Sequence, residues 1–288
     1  MTDQSASQPT MTSPVGLIAG TGVLPFAVAD TLARRGIQPV IFALKGFCDP
    51  REVQRFRHHW IALGKFGALV SLLKAERCRD VTLIGGLVRP SLSDLKLDFG
   101  ALALVPAFIA GLRGGDDHLL TTTAGFFEAR GFRVRGIRDL APELLMPEGC
   151  MTRARPDRDA EADIARGDEL LRATGPFDIG QAAVVIDGHV VSVEDIEGTD
   201  ALLARIARLR AEGRLRGKPG RGVLVKAPKQ GQDLRLDLPA VGPRTVEGLA
   251  AAGLAGAAIA AGHAVVAEPQ AMVEAADKAG VFIVGVPA

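Results

Sequence analysis

The chain has 288 residues, 48% of them hydrophobic and 23% charged, with a formal net charge of +1. A length of about twice the common domain size favours two domains, each able to bury its own core. The near-zero charge excludes the basic surplus by which proteins hold nucleic acid non-specifically, so no nucleic-acid partner is expected. Cys48, Cys78 and Cys150 lie far apart without CxxC spacing. That argues against a disulfide framework or a zinc site, and for free thiols in a reducing cytoplasm.

Residues 1–14 (MTDQSASQPTMTSP) contain no basic segment followed by an apolar one, so they read as a disordered tail and not as a secretory signal. From Val15 the order is strand VGLIAG, a glycine-containing turn, a helix over about 23–35 and strand PVIFAL. This is the βαβ rhythm of a parallel sheet covered by helices. A short strand near HHWIAL, a helix over 68–76, strand DVTLIGG, two helical stretches within 99–130 and strand FRVRG continue it. Residues 15–145 are therefore expected to form an N-terminal α/β domain with a Rossmann-like parallel sheet.

Pro, Gly and charge without an apolar period mark a boundary after residue 141, and 151–288 reads as a C-terminal mixed α/β domain. It opens with a helix ending near Leu171 and Thr174. The apolar runs AAVVID and HVVSVED then meet at Gly188 in hairpin fashion. An amphipathic helix with Thr199 as its expected N-cap comes next, followed by strand RGVLVKAP and the polar stretch KQGQDLRLDLP. A helix capped by Thr245, two short strands, a helix from Pro269 and strand VFIVGV complete the chain. The Ala- and Gly-rich run 248–266 is interrupted by turns and by His263, so no membrane span is expected, and any membrane contact is peripheral.

Several segments can carry chemistry. Gly20, Thr21 and Gly22 follow the first strand and open the first helix, where backbone N–H groups can face a phosphate or a uridine. A tight turn that needs small residues explains them equally well. Pro25 stands where a dinucleotide fingerprint requires its third glycine. Arg89, in GGLVRP, leaves the C-terminal end of a strand, where open α/β sheets place ligands, although a solvated loop arginine is the alternative. Asp116 and Asp117 follow two glycines and can hold a divalent cation or a sugar hydroxyl, or simply start a helix. Gln181 precedes a strand, and Glu197 and Thr199 sit where a strand hands over to a helix.

The densest cluster is Lys226, Lys229, Gln232, Asp233, Arg235 and Asp237, directly after the apolar VLV. Carboxylates can hold a cation that polarises phosphoryl oxygens, while Lys and Arg neutralise charge on a leaving phosphate. In an extended stretch Asp233, Arg235 and Asp237 share one face, although a solvated edge strand would look the same. The five histidines lack HxH or HxxxH spacing and no GxSxG elbow occurs, so neither zinc nor covalent catalysis is indicated.

Taken in order, GLIAGTGVLP, GGLVRP, GGDDHLL, FDIGQAAVV, VEDIEGTD and KAPKQGQDLRLDLPAVGPRT resemble the successive motifs of the UDP-2,3-diacylglucosamine pyrophosphatases of lipid A biosynthesis, the form unrelated to calcineurin-like phosphoesterases. The resemblance covers essentially the whole chain after the tail. It implies Mg²⁺-dependent attack of water on the diphosphate of an acylated UDP-sugar, giving UMP and 2,3-diacylglucosamine 1-phosphate, with the substrate held between two domains. It also implies a cytoplasmic protein in transient peripheral contact with the inner membrane, and a homodimer is compatible with it.

Carried over by motif, Asp233, Asp237 and Arg235 are the catalytic candidates, and Asp233, Asp237 and Glu197 the metal ligands. Gly20, Thr21, Gly22 and Arg89 would contact UDP, and Lys226, Lys229, Gln232 and Arg235 the phosphates. Asp116, Gln181 and Thr199 are further substrate contacts. This assigns UDP binding to 15–145 and catalysis with lipid binding to 151–288. The phrase KAPKQGQD departs from the KPxQD expected of the family at Lys229 and Gln230. Two rival readings are an NAD(P)-dependent oxidoreductase and a non-catalytic nucleotide-sugar or lipid carrier. The first is opposed by the missing glycine and by the lack of a clear acidic residue at the end of the strand IFAL; the second is permitted by the apolar second half.

Overall fold

The computed structural model describes residues 14–86, 98, 116–177, 179–215, 218–229, 233–236 and 238–287, with side chains from residue 120 onward in the segment that begins at 116. Residues 1–13 of the expected tail, Arg89, Gln232 and Asp237 thus lie outside the described residues, as does part of the helical region expected within 99–130. The chain divides into two compact units: Met1–Glu143 with Arg235–Asp237, and Leu144–Leu234 with Leu238–Ala288.

The first unit is built on strands β1 (Val15–Ala19), β2 (Pro39–Leu44), β3 (Arg57–Ile61), β4 (Asp80–Ile84) and β5 (Arg133–Val134), all parallel and in the order β3-β2-β1-β4-β5. Every residue of VGLIA and PVIFAL is buried, as parallel strands covered on both faces require. Helices α1 (Leu24–Arg34), α2 (Pro50–Val53), α3 (Phe66–Ala75), α4 (Asp116–Glu128) and α5 (Ile137–Leu140) accompany the sheet. The chain runs from β1 outward through β2 to β3 and then returns to the other side of β1 as β4. The order reverses between β1 and β4, the switch point at which such sheets open a ligand crevice. Cys48 and Cys78 are buried, Cys150 is half-buried, and all three are free thiols. Burial pushes the Cys78 thiol up to about 12.

The β4–β5 edge depends on one buried charge. Asp80 opens β4 with no exposed surface, and its carboxylate oxygens accept from Arg133 and Arg135, each at 2.7 Å. A buried carboxylate is tolerable only with such partners.

The second unit carries a six-stranded mixed sheet in the order β6-β13-β11-β9-β7-β8. Its strands are β6 (Gly149–Cys150), β7 (Ala182–Ile186), β8 (His189–Val193), β9 (Val223–Lys226), β11 (Gly256–Ala260) and β13 (Phe282–Val286). Strands β9, β11 and β13 are parallel, while β7, β8 and β6 are antiparallel to their neighbours. A separate parallel pair joins β10 (Ala240–Val241) and β12 (Val265–Val266). The expected hairpin is present: Asp187 and Gly188 have φ of 50° and 77°, the left-handed pair that a two-residue turn matched to strand twist needs.

Helices α6 (Arg158–Thr174), α7 (Gly198–Ala211), α8 (Pro243–Ala251) and α9 (Pro269–Ala279) flank this sheet. Alternate residues of β7 serve its two faces. Ala182, Val184 and Ile186 pack with Leu202 and Ile206 of α7, Leu249 of α8 and Met272 of α9. Ala183 packs with Val225 of β9 and with Ala160 and Leu171 of α6.

Two caps differ from expectation. Helix α7 starts at Gly198 with Glu197 at the N-cap, because the Thr199 hydroxyl is drawn to Glu194. Helix α8 is capped at Gly242, and Thr245 lies at its third position, where its hydroxyl accepts from the Gly242 N–H.

Asp80→Ala should destabilise the protein by about 2–4 kcal/mol, since it strips two arginines of a buried partner. Urea unfolding measures this, and a midpoint equal to that of the wild type would show the pairs to be energetically idle.

Candidate functional site

In the first unit the loops that follow β1 and β4 are laced together at the switch point. The Gly20 N–H donates to the Ile84 carbonyl at 2.9 Å, Thr21 N–H to Gly86 O at 2.7 Å, and Gly86 N–H to Thr21 O at 3.0 Å. The Thr21 hydroxyl also donates to Gly86 O at 3.1 Å. A Cβ on Gly20 would stand 2.3 Å from Gly86 O, and one on Gly85, whose φ is +96°, 2.6 Å from Thr21 O. Close backbone approach therefore accounts for Gly20 and Gly85. Gly22, at φ +95°, meets nothing within 4 Å and is exposed together with Thr21, just before α1. Helix α1 begins with Pro25 in its first turn and has no side-chain cap.

The second unit gathers a buried polar cluster at the C-terminal end of β9. Lys226 ends that strand beside Ala182 of β7, and its ammonium donates to the Thr199 hydroxyl. That hydroxyl donates in turn to Glu194 Oε1 at 3.0 Å. The Gln181 backbone N–H donates to Glu194 Oε2 at 3.2 Å, and Lys226 Nζ lies 4.0 Å from the same oxygen. Lys226 is 6% and Glu194 8% exposed, so two opposite charges are held out of water together.

Local backbone explains the arrangement. Glu194 directly follows β8, and its carbonyl accepts from Gly180 N–H at 3.1 Å. A Cβ on Gly180 would come within 2.4 Å of that carbonyl oxygen. Gly198, at φ +83°, turns the chain into α7 so that Thr199 falls back on Glu194. The positive end of α7 thereby lies beside the carboxylate.

Of the residues expected from sequence, Gln181, Thr199 and Lys226 come together, and they do so around Glu194, which sequence reasoning missed. The available signal was an acidic residue closing the apolar strand HVVSV while a lysine closes VLV. Three acids within 194–197 gave no means of separating the buried one from its exposed neighbours.

Glu197 is exposed at the start of α7, Lys229 and Asp233 are half-buried, and Asp116 is described only as the first residue of α4. The expectation that Asp233, Arg235 and Asp237 share the face of an extended segment is not met, because residues 234–236 form a turn. Leu236 there packs into the core of the first unit. Arg235 pairs with Glu128 at 3.0 Å, and its Cα lies 2.9 Å from where a Cβ on Gly136 would stand. Burial of a leucine thus outweighs strand alternation. Among the described residues no three His, Cys, Asp or Glu side chains converge as a metal site would require, and Asp237, the third expected ligand beside Glu197 and Asp233, lies outside those residues.

The sequence pattern of the LpxI N-terminal domain matches residues 14–144, and that of the LpxI C-terminal domain matches 147–284. The UDP-2,3-diacylglucosamine pyrophosphatase LpxI of Caulobacter vibrioides is 39% identical over 272 residues, which cover 94% of this chain and 97% of that protein. Among solved structures, the biotin carboxylase domain of the Hydrogenobacter thermophilus 2-oxoglutarate carboxylase is 13% identical. Its TM-score is 0.24, over 75% of this chain and 44% of that one, too low to bear on the fold.

Gly180→Ala should lower stability by about 1–3 kcal/mol, since the added methyl group meets the Glu194 carbonyl and the loop must shift. Thermal melting reads this directly. An unchanged midpoint would mean that the Gly180–Glu194 approach is not required.

Proposed function

The chain belongs to the LpxI family through both of its halves, and from that membership we propose that it hydrolyses the diphosphate of UDP-2,3-diacylglucosamine to UMP and 2,3-diacylglucosamine 1-phosphate in lipid A biosynthesis. The observation that carries the proposal is 39% identity along nearly the whole of both chains to a relative bearing that activity in its name. The chain is accordingly a hydrolase acting on a phosphoric anhydride.

In this reading residues 15–145 bind UDP, and 151–288 carry catalysis and lipid binding. Exposed Thr21 and Gly22 at the β1–β4 switch point, before a helix start without a side-chain cap, favour a phosphate or uridine contact there. Lys226, buried beside Glu194 at the end of β9, suits the stabilisation of negative charge that shifts to the leaving phosphate. Asp233 is the candidate to orient the attacking water, with Arg235, Lys229 and the segment that contains Gln232 and Asp237 near the phosphates.

A divalent cation, Mg²⁺, belongs to the proposal because it would neutralise the diphosphate charge when bound. The two acyl chains keep the substrate in a bilayer, so contact with the inner membrane from the cytoplasm is transient and peripheral. No helix among the described residues is long and apolar enough to cross a membrane. Phe177, Ile179 and Ile196 are exposed on the segments that lead to Gln181 and follow Glu194, which favours a lipid contact on that side of the unit.

Purified protein should release UMP from the diacylated UDP-sugar with Mg²⁺ present and stop when EDTA is added. Full turnover in excess chelator would sink the cation requirement, and no turnover at all would sink the function. Asp233→Ala should lower kcat by about 10²-fold or more while the protein still folds and binds the UDP-linked lipid. A near-normal kcat in a well-folded variant would remove Asp233 from the mechanism.

A further inference from the structure

The hydrogen bonds around Lys226 have a direction. A threonine hydroxyl has one proton, and that of Thr199 goes to Glu194 Oε1, so towards Lys226 the hydroxyl offers only a lone pair. The chain of bonds runs from ammonium to hydroxyl to carboxylate. At 4.0 Å the carboxylate is too far from Nζ for a direct hydrogen bond, yet close enough to act on its charge. Glu194 is itself fixed from a second side by the Gln181 N–H and from behind by the Gly180 contact to its carbonyl. Both of its oxygens already accept hydrogen bonds, one from the Thr199 hydroxyl and one from the Gln181 N–H.

On the proposed function, we infer that Glu194 is a positioning residue for the hydrolysis, acting through Thr199 to hold the Lys226 ammonium in place and aimed at the diphosphate. As the oxygen of water bonds to phosphorus, its proton passes to the Asp233 carboxylate proposed to orient it, the bridging P–O bond breaks, and the electron pair of that bond passes to the leaving phosphate. Lys226 meets that charge, and Glu194 acts on it only through Thr199 and Lys226.

The test is a double-mutant cycle read on kcat and KM for UMP release, with melting curves for every variant. Glu194→Gln preserves size and the acceptor for Thr199 but removes the charge. It should lower kcat about 10- to 100-fold with little change in KM, because misalignment acts on the transition state more than on binding. In a Lys226→Met background the same change should lower kcat less than about threefold, the non-additivity of residues that act as a unit. Thr199→Ser, which retains the hydroxyl, should keep a clearly higher kcat than Thr199→Val, and Thr199→Val should approach Glu194→Gln.

Equal losses in the two backgrounds, or equal kcat for Thr199→Ser and Thr199→Val, would overturn the inference. If Glu194→Gln does not fold, the Thr199 pair decides alone. A wild-type protein that releases no UMP would instead overturn the functional reading, and this inference with it.

Discussion

A lysine and a glutamate that share a nearly waterless space at the end of a strand constrain everything built around them. Neither Lys226 nor Glu194 could be buried alone, since an isolated charge in such a place costs several kcal/mol. Each makes the other's position permissible, and Thr199 between them turns a simple ion pair into a directed chain. Such an arrangement adds little net stability over apolar packing of the same volume. In the proposed hydrolysis its value is an ammonium held in place and shielded from water, where a cation acts most strongly on a phosphate.

Backbone approach, more than side-chain packing, sets the geometry at both candidate regions. In the first unit Gly20 and Gly85 let the loops after β1 and β4 close on each other, leaving Thr21 and Gly22 exposed before α1. In the second, Gly180 admits the Glu194 carbonyl, and Gly198 takes the left-handed conformation that returns Thr199 to Glu194. The same device serves two purposes: it binds two loops to each other at a switch point, and it folds a strand end back on itself around a charge. Asp80 solves the related problem at the β4–β5 edge with two arginines and no hydroxyl between.

Much of the fold was legible in the sequence. Near-continuous apolar runs such as PVIFAL identify strands covered on both faces, and the alternating AAVVID and HVVSVED about Asp187–Gly188 identify a hairpin, because these patterns are local consequences of burial and backbone twist. Two caps were misread for the opposite reason. Thr199 and Thr245 are good cap residues by type, but a hydroxyl goes to whichever acceptor or donor the fold brings nearest, and for Thr199 this is Glu194. The segment after β9 failed likewise: alternation of charge and leucine suggests a strand, yet burial of Leu236 in the core of the first unit makes a turn at 234–236.

By itself the sequence determined the order of elements, the α/β class of both halves and, through the succession of its motifs, the family. These reside in short-range periodicity and in residue strings that survive without reference to the fold. Which acid is buried, what Lys226 faces and why Gly180 has no side chain were decided only by tertiary structure. Glu194, Asp195 and Glu197 are equivalent in the sequence; they differ because the β8 end places one of them under the β9 lysine and leaves the other two in water. Desolvation is a property of position in three dimensions, and no local pattern of residues encodes it.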